Sequence, residues 1–206
     1  LATIETSINV MNHISLSDEK LLDVLNVINR SIKTYRQLIT DISVIAKVES
    51  ETNQIELVNI EELIMNIEWS LQDKIQLSGA KIKCELPVNH IKFSKKNLRS
   101  ILFNLISNGI KFKGDRLPVI EIVSAETDGL PMLSIKDNGK GMDEVGIGKI
   151  FQMYGRLHQD IEGSGIGLYL AKKIINATGG RLAVESALGK GTTFTIYFAP
   201  AAETTQ

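Results

Sequence analysis

Residues 119–142 read VIEIVSAETDGLPMLSIKDNGKGM. Two runs, 119–125 and 132–137, are rich in β-branched and apolar residues and flank Asp128-Gly129. Asp-Gly between two such runs is a strong hairpin signal, because both residues tolerate the positive φ of a tight turn. Side chains alternate along a strand, so Leu133, Ile135 and Asp137 point the same way. Asp137 therefore follows a buried face out to its edge, where a carboxylate needs a donor. The exocyclic amine of adenine is one candidate. A turn in which the aspartate caps its own loop, Asn138-Gly139-Lys140-Gly141, is the other.

Upstream, Ser94 is placed to cap a helix over 94–113. Leu98, Ile101, Leu102 and Leu105 form its buried side. Asn104, Asn108 and Lys111 fall at i, i+4 and i+7 and so form one polar stripe. Asparagine is a poor helix former, and two on one stripe need a reason. Amide oxygens suit Mg²⁺ and a lysine suits phosphate. A solvated face is the alternative reading. Before this helix the pattern predicts a strand over 54–58 and a helix from Asn59 to about Gly79, opened by an Asn59/Glu62 capping box. A second strand is predicted over 81–86. Cys84 alternates there with Ile82 and Leu86, which makes it a core residue of the strand and not a reactive thiol.

Downstream, Gly163-Ser164-Gly165-Ile166-Gly167-Leu168 opens an amphipathic helix that ends at Gly179-Gly180. Such glycines let backbone N–H groups approach phosphate at a helix N-terminus. No Gly-Lys-Ser/Thr follows, so this is not a Walker A loop. The preceding Asp160-Ile161-Glu162 is no strand, so the dinucleotide fingerprint fits poorly. The intervening segment 142–162 reads as a lid, with one short apolar stripe (Ile147, Ile150, Phe151, Tyr154). Arg156 stands in it as a candidate phosphate contact, and His158 as a surface residue. Strands over 181–186 and 193–199 flank the turn at 188–191. Together these elements predict an α+β class, a two-layer α/β sandwich with a mixed sheet and three helices on one face.

Residues 1–50 contain neither Gly nor Pro. Leu21, Leu25, Ile28, Ile32, Tyr35, Ile39, Ile42 and Ala46 alternate spacings of four and three, an a/d seam. Leu1, Ile4, Ile8 and Met11 make a shorter stripe, and 14–17 reads as a tight connection. The expectation is a helical hairpin over 1–52 and a second domain over 53–206. The hairpin has more apolar surface than it can bury alone. A second copy would cover it as a four-helix bundle, unless the hairpin packs on its own downstream domain. The chain is 43% hydrophobic with a net charge of −1, so it lacks the basic surplus of a nucleic-acid binder. Its lone cysteine leans towards a reducing, cytoplasmic compartment. No run reaches the roughly 18 to 20 apolar residues that span a bilayer.

Taken in order, these boxes closely resemble the catalytic domain of bacterial sensor histidine kinases, in the ATPase superfamily shared with DNA gyrase B, MutL and a heat-shock chaperone. Asn104-Leu-Ile-Ser-Asn108-Gly-Ile-Lys111-Phe112 looks like the N box. Asp137-Asn-Gly139-Lys-Gly141 looks like the first glycine box, and Phe151-Gln-Met-Tyr154 like the F box. Residues 163–168 look like the second glycine box, and Gly189-Lys-Gly191-Thr192-Thr193-Phe194 like a third. Gly109 stands where alanine is commoner and Tyr154 where phenylalanine is commoner. The hairpin resembles the family's dimerisation and phosphotransfer domain. Its acceptor motif, His-Glu/Asp-x-Arg-x-Pro-Leu, is expected upstream of Leu1, since His13, His90 and His158 lack those neighbours.

The resemblance implies ATP and Mg²⁺ as cofactors. Asn104 and Asn108 would hold the metal and the phosphates, and Lys111 and Arg156 would contact phosphate. These four are the candidate catalytic residues. Asp137 would select adenine, with Gly139 and Gly141 letting the base approach and Thr192 or Thr193 in support. Tyr154, Gly163, Gly165, Gly167 and Leu168 complete the implied nucleotide site. The implied activity is transfer of the γ-phosphate to a histidine, then to a response-regulator aspartate, by a homodimer. An inactive dimeric scaffold and another ATPase of the superfamily are the competing classes. Nucleotide binding separates the first, and the a/d hairpin with the F box argues against the second.

Overall fold

The computed structural model describes residues 25–29, 31–32, 35, 39, 54–155 and 165–200. The described part of 25–39 is helical. Within it Leu25 and Ile32 are buried, while Val27, Ile28, Tyr35 and Ile39 are exposed. The remaining seam residues, Leu21, Ile42 and Ala46, and the stripe over 1–11 lie outside the described residues.

From residue 56 the order is β1 (Glu56–Asn59), α1 (Ile60–Ser70), α2 (Gln72–Ser78), β2 (Lys81–Glu85), β3 (His90–Phe93), α3 (Lys95–Lys111), β4 (Val119–Thr127) and β5 (Leu130–Asp137). Then come α4 (Glu144–Lys149), α5 (Gly167–Ala177), β6 (Arg181–Ala187) and β7 (Gly191–Tyr197). Five strands form one mixed sheet in the order β2-β4-β5-β7-β6, with β2 parallel to β4 and the other pairs antiparallel. The β4–β5 hairpin turns at Asp128 and Gly129, both at positive φ (54° and 75°), as the Asp-Gly pair predicts.

One face of the sheet is dry. Ile120 and Ile122 of β4, Leu133 and Ile135 of β5, Leu182 of β6, and Phe194 and Ile196 of β7 are all buried there. They meet Leu63, Ile64 and Ile67 of α1, Leu98, Ile101, Leu102 and Leu105 of α3, and Leu170, Ala171, Ile174 and Ile175 of α5 in one cluster. The other face is solvated. Glu121 pairs there with Lys83 and Lys136 at 3.9 and 3.4 Å, and the Arg181 guanidinium lies 4.1 Å from the centre of the Tyr197 ring. A mixed sheet with three helices on one face is therefore the observed architecture.

Several local readings change. The helix expected over 59–79 is two helices, broken at Leu71, whose N–H is shared between the Ile67 and Glu68 carbonyls. The break lets Leu71 stay buried while α2 turns away to end at Gly79 (φ 68°). Half of the capping box forms. Asn59 Oδ1 accepts the Glu62 N–H at 2.9 Å, but the Glu62 carboxylate pairs with Lys95 instead of reaching back. Asn89 does the rest, accepting from the N–H groups of Ile60 and Glu61. Strand β3, which pairs with β1 in a small separate sheet, has too short a pattern to be seen in sequence. Cys84 lies in register with Ile122, on the helix side, but β2 is the sheet's edge and leaves it exposed. Partial burial and the nearby Glu68 and Glu61 push its thiol up to about 11, which disfavours the thiolate.

Candidate nucleotide-binding site

The strand register lines up Ile120, Asp137, Thr192 and Ser186 side by side across β4, β5, β7 and β6. This row ends the dry face: Ile120 is still apolar and buried, but beyond Ile135 and Phe194 the side chains turn polar. Asp137 is half-buried. Its Oδ1 accepts the N–H of Gly139 at 2.8 Å and that of Thr192 at 3.3 Å. Among the described residues both bonds to this carboxylate fall on Oδ1, which leaves Oδ2 to accept from a ligand. Burial raises the carboxyl above its ordinary range, and the two backbone bonds only partly oppose that.

Helix α3 crosses directly over this row. A Cβ on Gly109 would stand 3.2 Å from Asp137 Cβ and 3.1 Å from Ile120 Cγ1. Glycine at 109 thus permits the close approach, and it carries the neighbouring Asn108 to the same end of the sheet. One turn back, Asn104 meets the start of α5, where a Cβ on Gly167 would lie 2.8 Å from Asn104 Oδ1. The first turn of α5 has no side-chain cap and no acidic residue. Asn104, Asn108 and Lys111 are all half-buried. Lys111 extends past Phe112, with Nζ 4.5 Å from its ring centre. The structure therefore brings the N box, Asp137 and the Gly165-Ile166-Gly167-Leu168 turn together, with Gly165 at φ 73° and Leu168 packed against the core.

Chain crossings explain the other glycines. Gly141 (φ 64°) lies so close to the Ala187 carbonyl that a Cβ would collide with it, and Gly191 (φ 103°) stands likewise against the Asp137 carbonyl. Gly139 passes under the Phe112 carbonyl, which accepts the Lys140 N–H at 3.0 Å. The Gly189 N–H donates to the Lys140 carbonyl at 2.7 Å. At Gly139, Gly141 and Gly191 the absent side chain permits a close contact between two stretches of backbone.

Thr192 and Thr193 part company. Thr192 faces Asp137, whereas Thr193 is paired with Lys136 and Glu185 on the solvated face. Ser186, which the sequence reading passed over, belongs to the row. It follows Leu182 and Val184 on the dry side of β6, and a polar residue continuing an apolar alternation was the available signal. Phe151 stands edge-on to Phe194 (centroids 6.4 Å, 81° between planes), and Lys172 Nζ lies 4.6 Å from the Phe151 ring centre. Tyr154 is exposed and adopts φ 63°. Arg156, Gly163 and His158 lie outside the described residues. No cluster of three or more His, Cys, Asp or Glu side chains suited to a metal occurs among the described residues. A cation here would take neutral amide oxygens from Asn104 and Asn108 and its remaining ligands from substrate and water. That donor set suits Mg²⁺, which keeps waters and phosphate oxygens.

Residues 94–202 match the family described as histidine kinase-, DNA gyrase B- and HSP90-like ATPases. The chain is similar to the phytochrome-like protein Cph1 of Synechocystis sp., with 32% identity over 187 residues, 89% of this chain and 25% of that protein. The chain spans about a quarter of the length of the curated relatives of this kind. Its fold is similar to the Acinetobacter baumannii histidine kinase AdeS (TM-score 0.72, 18% identity, 96% of this chain and 94% of that one). It is also similar to the histidine kinase ThkA in complex with the response regulator protein TrrA (TM-score 0.67, 21% identity, 95% and 56% covered).

Proposed function

Because the chain belongs to the histidine kinase-, DNA gyrase B- and HSP90-like ATPases, we propose that residues 53–206 bind ATP with Mg²⁺ as the catalytic domain of a two-component sensor histidine kinase. The γ-phosphate would pass to a histidine and then to a response-regulator aspartate. The observation that carries this is the half-buried Asp137, with one oxygen held by two backbone N–H groups and the other available, beside the Asn104–Asn108 stripe. Oδ2 accepts the exocyclic amine of adenine. Asn104 and Asn108 hold the metal, which supplies charge neutralisation at the phosphates when bound. Lys111 and the uncapped first turn of α5 draw the phosphate chain towards α3. In this reading Arg156 supplies a further phosphate contact. In such a site the protein's work is positioning and charge stabilisation.

Residues 1–52 form the dimerisation and phosphotransfer hairpin in this reading. Support comes from the described part of the seam, where Leu25 and Ile32 are buried while Val27, Ile28 and Tyr35 remain exposed apolar surface for a second copy. The response-regulator partner is supported by the ThkA–TrrA likeness. Among the described residues no helix is long and apolar enough to cross a membrane. None of His13, His90 and His158 has the acidic, Arg and Pro neighbours of an acceptor. Titration of the chain with ATP and GTP in Mg²⁺ tests the site. Tight ATP and weak GTP binding are expected, without stoichiometric phosphohistidine on this chain. Equal affinity for both nucleotides refutes the adenine assignment, and label on His13 refutes the placement of the acceptor.

A further inference from the structure

Ser186 makes three contacts at 2.9 Å. The Met142 N–H donates to its Oγ, its Oγ donates to the Gly191 carbonyl, and its Oγ lies against Thr192 Oγ1. A serine hydroxyl has one proton and two lone pairs. The Gly191 carbonyl can only accept, so the proton of Ser186 goes there. Met142 occupies one lone pair. All three contacts are hydrogen bonds under one assignment alone: Thr192 must donate to Ser186. Were Ser186 to donate to Thr192, its contact with the Gly191 carbonyl would hold no proton.

The direction of that one proton decides what Thr192 offers its other neighbour. Thr192 is 7% exposed and stands between Ser186 and Asp137 in the polar row. With its proton committed to Ser186, Thr192 presents only lone pairs to the space beside Asp137. Asp137 Oδ2 likewise accepts only. At Asp137 and Thr192 the site thereby offers only acceptors. A base edge in direct contact finds two places for the hydrogens of an amine. An edge carrying a carbonyl at the same position finds none.

We propose that Ser186 is a specificity-determining residue, which orients the Thr192 hydroxyl away from the nucleotide and so excludes bases that present a carbonyl where adenine presents its amine. It acts through Thr192 and touches no substrate. The proposal deepens the nucleotide-binding function above and rests on it. Without the Ser186 oxygen the Thr192 hydroxyl is free to rotate towards the site and donate to a carbonyl edge. One neutral hydrogen bond gained by such a base is worth about 3- to 10-fold in affinity.

The test uses the whole chain, with ATP and GTP titrated in Mg²⁺ against the unsubstituted protein, Ser186→Ala, Ser186→Thr, Thr192→Val and the Ser186→Ala/Thr192→Val double variant. Thermal unfolding of each is followed in parallel. Ser186→Ala is expected to raise GTP affinity relative to ATP by about 3- to 10-fold. Ser186→Thr, which keeps the oxygen and its proton, restores the original ratio. Thr192→Val and the double variant show no gain, because the rotating proton is gone. If Ser186→Ala stays folded and weakens both nucleotides in equal measure, or unfolds while Ser186→Thr shifts the ATP-to-GTP ratio, Ser186 is only a staple between two loops and the proposal is overturned. A gain that persists in the double variant overturns it equally. If the unsubstituted chain binds ATP no better than GTP, the adenine reading itself falls and this proposal with it. That outcome is distinct from intact ATP selectivity with an unchanged ratio in Ser186→Ala.

Discussion

Asp137 carries two opposed demands. Burial raises its carboxyl, so the folded state disfavours its charge, yet the charge is what a nucleotide amine would bind. A raised acid contributes stability that is present below the ordinary carboxylate range and lost as pH rises through the folded-state value. At neutral pH that contribution is gone. Asp137→Asn, neutral throughout, should therefore match or exceed the parent's melting temperature at pH 7, with the difference shrinking on acidification. The two backbone N–H groups at Oδ1 would hold the new amide oxygen there and turn its NH₂ towards the ligand amine, donor against donor. ATP affinity is expected to fall about a hundredfold, within the usual range for losing a charged acceptor and leaving a buried group unmatched. Calorimetry and thermal melts at several pH values check both halves. A large loss of stability together with unchanged ATP affinity would refute the assignment. Gly191→Ala belongs to the same scale. At φ 103° and against the Asp137 carbonyl, it should cost about 2 kcal/mol or more in chemical denaturation.

The elements around the site are held by contacts that cross between them. Phe151, just past α4, is caught between Phe194 of β7 and Lys172 of α5. The cation–π contact is worth about 0.5–1 kcal/mol. It ties the start of the lid segment to the helix whose first turn faces the N box. Lys172→Met keeps most of the packing and removes the charge. Hydrogen exchange over 144–151 should quicken severalfold, and Lys172→Arg should restore it. No change in protection would mean that Ile150 and the Phe151–Phe194 contact suffice. At the other end of the domain, Asn59→Ala removes the acceptor for the Glu62 N–H and should cost about 1 kcal/mol, with nucleotide affinity untouched.

At the scale of the whole molecule, the catalytic domain has one closed core, while the described part of the helical region leaves large apolar side chains exposed. Tyr35 is 61% exposed and Val27 63%, on the same stretch in which Leu25 and Ile32 are buried. Pairing of two chains along this seam, which we infer, would cover that surface. Charges buried at such a seam are strongly destabilising. Ile28→Glu with Tyr35→Glu should give monomers by sedimentation at concentrations where the parent dimerises. The variant should still bind ATP, because Asn104, Asn108, Asp137 and Thr192 all lie on α3, β5 and β7, outside the substituted helix. A parent chain that stays monomeric at high concentration counts against the dimer.

The sequence by itself determined the elements whose information is local. The Asp128-Gly129 hairpin, the Ser94-capped α3 and the alternation that aims Asp137 along the dry face each depend on residues within one or two turns of one another. The mixed sheet with helices on one face followed from their order. Only the tertiary structure decided what depends on neighbours distant in the chain. Thr192 and Thr193 are equivalent until the β5–β7 register turns one towards Asp137 and the other to solvent. Cys84 lies on the helix side yet is exposed, because β2 is an edge strand and no sequence pattern states which strand lies outermost. The need for glycine at 141 and 191 becomes visible only when the turn at 188–190 is seen crossing the loop at 138–141. Ser186 has no meaning as a lone serine in β6. Its single proton matters only once Met142, Gly191 and Thr192 have been folded against it. Periodicity records which face a side chain occupies, and only long-range register decides what it meets there.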